Sequence, residues 1–394
     1  MSELRVAEIH NPNDQTGGIT IDNNDNVSIN GQALPSAGPL SNRNLIINGA
    51  MNVAQRGTTS TQDGYRTVDR FALSRAQGAT QQDQISINNG NGQLAPIWDA
   101  GFRNFYRITN TTGSSAANSL RAIVYFVEAQ DLATSGWVHD DPNSFITLSF
   151  WVRASVNQRY WASIETEAGT EQAFVFPIQD VGNNTLSANT WTRIVRTIPG
   201  NANVQINDDN TRGIRIAFAP WWGTDFTGTG ATEQWRDFDT ADRAPAMDDN
   251  WAIDDGATFD ITGVQLEVGE VATPFEHRPI GTELALCQRY FHEIGAQFAT
   301  PGFVSSGSNI VFGYDYPAPM RANPQLANQS SDIRINNGGQ DTQANAAPAV
   351  NRVTTEHITI TAGAAGNTTS GRVEPKEPGT VFIQSGSLWL NAEL

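Results

Sequence analysis

Hydrophobic and polar positions alternate with period two through most of this chain. In SFITLSFWVRA (144–154), Ile146, Leu148, Phe150 and Val152 share one face. In RGIRIAFA (212–219), Ile214, Ile216 and Phe218 point one way and Arg215 the other, and WTRIVRTI (191–198) sets Ile194 and Ile198 against Arg193. SLRAIVYFV (119–127) fits a further strand. Period two places successive side chains on opposite faces of a sheet, so these segments are half-buried strands. Asn/Gly/Thr-rich turns separate them, and from Asn44 to about Val271 almost no helical period intervenes. The pattern predicts an all-β fold, a jelly-roll β-sandwich over residues 41–273.

The pattern changes twice near the end of that span. Phe259 and Ile261 share one parity, while Val264, Leu266 and Val268 share the other. Either a β-bulge at Gly263 adds the missing residue, or Phe259–Ile261 belongs to a loop. Pro274 and Pro279 then interrupt regular structure. Beyond them Thr282 suits a cap, Glu283 suits a helix N-terminus, and Leu284, Cys287, Phe291 and Ile294 recur at helical spacing. Residues 274–394 therefore read as a linker, a short helix and a small C-terminal β domain, with strands in NIVFGYDY, HITITAG and GTVFIQSGSLWLNAEL. At the other end, residues 1–40 hold two short strands, Ile19–Ile21 and Val27–Ile29, around an Asx-rich turn, followed by an extended tether, GQALPSAGPLSN. Such a segment is too small to bury a core alone and calls for a partner.

Composition narrows the function. The chain has 394 residues, 39% hydrophobic, and a net charge of −17 in which Lys376 is the one lysine. An acidic surface repels phosphate backbones, which argues against nucleic-acid binding. No apolar run approaches a membrane span, so no membrane insertion is expected. MSELRVAEIH lacks an apolar signal core, which predicts synthesis in a cytoplasm without a signal peptide. One cysteine, Cys287, excludes intrachain disulfides and reads as a small buried helix residue.

Signals for catalysis are weak. There is no G-x-S-x-G, P-loop or H-E-x-x-H, and the five histidines form no ligand pair. DNNDN (22–26) imitates the start of an EF-hand, but Val27 replaces the glycine and Ala33 the bidentate Glu. Acid pairs such as Asp237/Asp239 could serve a glycosidase, yet with 41 acids some always pair. No cofactor is expected; DDNWAIDD (248–255) reads as a solvated acidic loop, with a structural calcium as its alternative. Tryptophan is more informative, at ten per chain. Trp151, Trp191 and Trp389 fall in strand patterns and read as sheet packing. Trp221, Trp222, Trp235 and Trp251 fall in or beside a long segment, 223–255, longer than an ordinary connection. With Asp237 they form a candidate glycan site, indoles stacking on sugar C–H faces and polar neighbours bonding hydroxyls. Anchoring between subunits accounts for the same residues equally well.

Several blocks carry a resemblance: NLIINGAMNVAQRGTTS (44–60), YRTVDRFAL (65–73), LSFWVRAS (148–155), FDITGVQLEVGEVATPFEHRP (259–279), ELALCQRYF (283–291) and the terminal NAEL. Together they resemble a family of tailed-bacteriophage virion proteins, tail-fibre-like and structural, whose central part is similar to carbohydrate-binding jelly rolls. The G-V-Q-L-E-x-G…F-E-x-R-P…C-Q-R-Y series is specific, the lone Q-R-G weak. Where the family commonly has N-G-D-F, this chain reads Asn48-Gly49-Ala50-Met51, so any ligand role of that aspartate is absent. The resemblance implies a homotrimeric appendage docked to other virion proteins through residues 1–40, facing a host-surface glycan, without enzyme activity. A non-adhesive head or tail fibre and a glycan depolymerase stand as the alternatives.

Overall fold

The computed structural model describes residues 8–11, 14–22, 26–35, 41–296, 298–304, 309–337, 340–343, 348–363 and 378–394. The centre of the Asx-rich turn (23–25) and the middle of the tether (36–40) lie outside the described residues. The chain divides into two compact units, Met1–Pro279 and Ile280–Leu394.

The first unit is a jelly-roll β-sandwich of two six-stranded antiparallel sheets. One runs in the order Thr192–Pro199, Phe145–Ala154, Thr258–Val268, Asn104–Thr112, Ala79–Ser86, Thr59–Ser60. The other runs Trp235–Asp237, Gln172–Ile178, Tyr160–Thr166, Arg212–Trp222, Leu120–Glu128, Phe71–Ala76. The expected inward sets, Ile146/Leu148/Phe150/Val152 and Ile214/Ile216/Phe218, are fully buried in one core. Phe150 of the first sheet meets Phe218 of the second edge-on at 4.8 Å, and Phe259 meets Tyr160 at 5.4 Å. Each such ring contributes roughly 1.5–3 kcal/mol by leaving water.

The parity change near Gly263 is a bulge within one strand, Thr258–Val268. Ser149 pairs with Gln265 but Trp151 with Thr262, so an extra residue is absorbed there. Gly263 has φ +62°, and a Cβ on it would meet the Phe102 ring at 2.4 Å. Downstream, residues 270–279 turn back and are fastened to the same sheet. The Thr273 N–H and hydroxyl donate to Glu267 at 2.9 and 2.7 Å, and the Glu276 N–H donates to Gln265 Oε1 at 2.8 Å. The Glu276 carboxylate accepts from the N–H groups of Asn42 and Asn44, while Arg278 donates to the carbonyls of Asn44 and Ile46. The first unit therefore extends to Pro279, past the break expected at 273.

Asn48-Gly49 is a structural turn. Asn48 has φ 61° and bonds Val53 in both directions through its side chain, and a Cβ on Gly49 would lie 2.1 Å from the Val264 carbonyl. Ahead of the sandwich, Glu8–Asn11, Asp14–Ile21, Val27–Ile29 and Gln32–Ala33 form a four-stranded antiparallel meander. Its register aligns Ile9 with Ile19 and Ile19 with Ile29. Those three remain 54%, 36% and 43% exposed, so this row of isoleucines is not buried in a core.

The second unit is an eight-stranded antiparallel sheet around its own cluster, including Ile310, Phe312, Ile358, Ile360, Val381 and Leu390. Its helix spans Ile280–Gln288, starting earlier and ending sooner than the spacing predicts. Cys287 is buried on it, but Phe291 and Ile294 lie on a strand, Phe291–Ile294, paired with Leu388–Asn391. Ladder hydrogen bonds to the last strand outcompete helical continuation there, and apolar spacing of three suits either state over so few residues.

Candidate functional site

The indoles expected to form a site are mostly core residues. Trp221 and Trp222 end the strand Arg212–Trp222 and are 4% and 1% exposed, and Trp251 is 0% exposed. A register shift between Phe218 and Trp221, at Pro220, brings Trp221 into the core, where its Nε1 donates to Ser119 Oγ at 2.6 Å. Trp251, on a short helix Asn250–Ile253, donates from Nε1 to the Thr258 carbonyl at 3.0 Å. Buried on both faces, these three rings cannot stack on a ligand, which corrects the expectation for them. Trp235 is half-buried on the edge strand Trp235–Asp237, packs against Phe174 at 5.7 Å and donates to the Pro199 carbonyl at 2.6 Å. Asp237 is exposed and accepts from Gln172 Nε2 at 2.7 Å. Three of the five residues are thus buried, and Trp235 and Asp237 stand on the edge strand.

The long segment 223–255 has a structural use. The N–H groups of Glu233 and Phe238 donate to the Val175 and Glu171 carbonyls at 2.7 and 2.8 Å. Arg243 stands 3.7 Å from Glu165, which also holds Arg215 at 2.5 Å. The segment thereby covers the outward face of the second sheet. In the acidic loop, Asp255 accepts from the Gly113 N–H at 2.6 Å. Among the described residues no three His, Cys, Asp or Glu side chains group to hold a metal.

The outward face of the first sheet is different. Its strands align side chains in rows, and cross-strand neighbours on one face lie within contact distance. One row is Arg193–Trp151–Thr262, and the next is Val195–Ser149–Gln265. Around the first of these opens a cavity of about 340 Å³ lined by Trp151, Phe102, Phe275, Ser149, Asp99 and Arg193, with Gln32 and the backbone at Gly263 and Pro274. Phe102 reaches it because Gly263 lacks a side chain. Phe102 meets Phe275 edge-on at 4.9 Å, and Phe275 meets His277 at 4.8 Å. His277 Nε2 in turn lies 3.0 Å from the Ala100 carbonyl. The aromatic wall is thus held by the refolded 270–279 segment.

A third row stiffens the floor. Arg153, Asp260, Arg107 and Asp83 alternate in charge across four adjacent strands. Asp260 is fully buried, with Arg107 at 2.7 Å and Arg153 at 2.7 Å. Hydrogen bonding to Asp260 raises the Arg107 pKa above its ordinary value against the opposing effect of burial. Arg153 also lies over the Trp191 ring at 5.0 Å. Charge-assisted bonds of this kind fix side chains in place.

Chemically, the cavity offers a half-buried indole, a half-buried phenyl ring backed by the buried Phe102, a hydroxyl, a carboxylate and a guanidinium. Its size falls in the range of small-ligand pockets, and its mix of flat apolar faces with a few polar groups is what sugar rings require. The signal was in the sequence: Trp151 has the parity opposite to Phe150 and Val152, which face the core. Phe102, Asp99 and Phe275, on connections, carried no such signal.

No family model matches the chain, and no curated protein matches it. Among solved structures it is similar to the enzymatically active domain of tailspike protein 4 from bacteriophage CBA120, at 8% identity and TM-score 0.30, over 57% of this chain and 21% of that one. It is also similar to a family 11 carbohydrate-binding module from Clostridium thermocellum in complex with a mixed-linked tetrasaccharide (11% identity, TM-score 0.25, 56% of this chain, 98% of that one). A third is the CBM22-1 xylan-binding domain of Paenibacillus barcinonensis Xyn10C (9% identity, TM-score 0.26, 56% and 99%). The chain spans about a fifth of the tailspike domain.

Proposed function

We propose that this chain is a bacteriophage fibre protein that binds a host-surface glycan in the Trp151 cavity and attaches to the particle through its N-terminal strands, as a homotrimer. The observation that carries the glycan reading is the cavity itself: Trp151 beside Phe275, with the buried Phe102 behind them and Ser149 and Asp99 at hand for hydroxyls. The virion reading rests on the sequence blocks that resemble phage structural proteins. The exposed isoleucines of the meander support attachment, since a small sheet with an uncovered apolar face gains by docking.

Binding without cutting is the favoured chemistry. Glycoside hydrolysis generally needs two carboxyl groups roughly 5–10 Å apart across the scissile bond. Among the described residues Asp99 is the one acid lining the cavity. Adsorption of purified protein to host cells tests the reading. Trp151→Ala should weaken binding about tenfold, the equivalent of about 1.4 kcal/mol, while Trp235→Ala leaves it unchanged. An unaffected Trp151→Ala would contradict the assignment, and release of reducing ends from host polysaccharide would establish a depolymerase instead.

A further inference from the structure

Arg193 borders two cavities at once. One is the 340 Å³ cavity around Trp151. The other, about 210 Å³, is lined by Gln179, Asp180, Val181 and Gly182 together with Arg193–Arg196 of the neighbouring strand. Arg193 stands directly opposite Trp151 in the strand register, so its side chain lies between the two spaces.

Its charge is unclaimed. The chain carries 41 acids and a net charge of −17, yet among the described residues no carboxylate forms an ion pair with Arg193. Among the described residues its side chain makes one hydrogen bond, from Nη2 to the Thr273 carbonyl at 3.1 Å. The acid that influences it, Glu267, already accepts from Thr273 at 2.7 and 2.9 Å and from Gln265 at 2.8 Å, and has Arg43 at 3.5 Å. Partial desolvation lowers the Arg193 pKa from its ordinary value, with Glu267 opposing. A guanidinium so placed has donors to spare and no acceptor function.

The other charges along the two cavities are engaged or suited to a different partner. Arg196 pairs with Glu233 at 3.4 Å. Asp180 accepts from the Ser187 N–H at 3.0 Å, from its hydroxyl at 2.5 Å and from Thr192 Oγ1 at 2.9 Å. Asp99 is an acceptor, able to take hydroxyl protons from a neutral part of a sugar. Arg193 asks for an acceptor, and a carboxylate or phosphate matches its planar fork with two parallel hydrogen bonds.

We propose that the two cavities are consecutive subsites of one glycan cleft, and that Arg193 selects an anionic sugar, its carboxylate or phosphate group lying between them. This rests on the Trp151 cavity being the glycan site and adds the ligand's charge and a second subsite. Arg193 acts as the specificity residue, while Trp151 supplies sugar-ring stacking whatever the charge.

The test is equilibrium binding of the full chain to uronate- and phosphate-bearing oligosaccharides, each beside its neutral, carboxyl-reduced or dephosphorylated counterpart. The wild-type chain should prefer at least one acidic member about tenfold at low salt, the preference shrinking as salt rises. Arg193→Gln should erase the preference and leave binding of the neutral counterpart within about twofold. Trp151→Ala should weaken both members. Equal losses on both members in Arg193→Gln, or no acidic preference in the wild-type chain, overturn the proposal while leaving the cavity assignment standing. Intact binding of both in Trp151→Ala removes the cavity assignment itself.

Discussion

Trp151 and Trp221 both lie on strands of the sandwich and have opposite fates. Trp151 follows simple alternation and faces outward, so its placement could be read from Phe150 and Val152 on either side of it. Trp221 breaks alternation because the register shifts at Pro220, and a one-residue slip moves a side chain to the other face. That shift depends on which residues the partner strand offers, so it left no trace in the local pattern. Stability should separate the two tryptophans. Trp221→Ala or Trp251→Ala leaves a cavity in the core and should cost roughly 3–5 kcal/mol in denaturant unfolding. Trp151→Ala, on a half-buried outward position, should cost about 1 kcal/mol and leave the folded state intact. Equal losses for Trp151 and Trp221 would contradict the placement of their faces.

Among elements, the strand Thr258–Val268 and the segment behind it organise the cavity. The parity switch at Gly263 was legible as a bulge or a loop, and the strand pairing decides for the bulge. The second task of this glycine was not legible: it gives room to Phe102, which approaches from a distant connection. Gly263→Val should therefore act twice, straining a backbone at φ +62° and driving Phe102 away. A loss of roughly 2–4 kcal/mol in denaturant unfolding is expected, together with weakened glycan binding; wild-type stability would refute the bulge geometry. The prolines at 274 and 279 correctly signalled an end to regular structure. They could not signal that residues 270–279 return to the sheet, since that depends on Glu276 and Arg278 meeting Asn42, Asn44 and Ile46, far back in the sequence. The long acidic segment misled for the same reason. Its length and tryptophans suggested an exposed site, whereas its backbone and Arg243 close the second sheet.

On the scale of the molecule, the sandwich, the meander and the C-terminal unit should respond separately. Deleting residues 1–40 should leave the sandwich folded and abolish incorporation into particles; normal incorporation would refute attachment through those strands. The C-terminal unit should be sensitive to acid. Burial pushes the His292 pKa down to about 4, against an opposing effect of Glu293, and its neutral ring shares a hydrogen bond with the Tyr314 hydroxyl through Nε2. The unfolded chain takes up this proton near pH 6.5, so the folded unit keeps its full stability above that pH and loses it progressively toward pH 4. Backbone hydrogen exchange in Phe291–Ile294 and Asn309–Asp315 should accelerate over that window, and His292→Gln should flatten the response. Exchange independent of pH after correction for its intrinsic rate would contradict a neutral buried His292.

The central claim is that a glycan occupies the outward face of the first sheet, at Trp151. Hydroxyl-radical footprinting of the full chain, with and without isolated host-surface polysaccharide, reads this position directly. The account predicts that the polysaccharide shields Trp151 and Phe275 from oxidation while Trp235 reacts as before. Shielding of Trp235 with Trp151 unchanged, or no change at any aromatic residue under saturating polysaccharide, would contradict it.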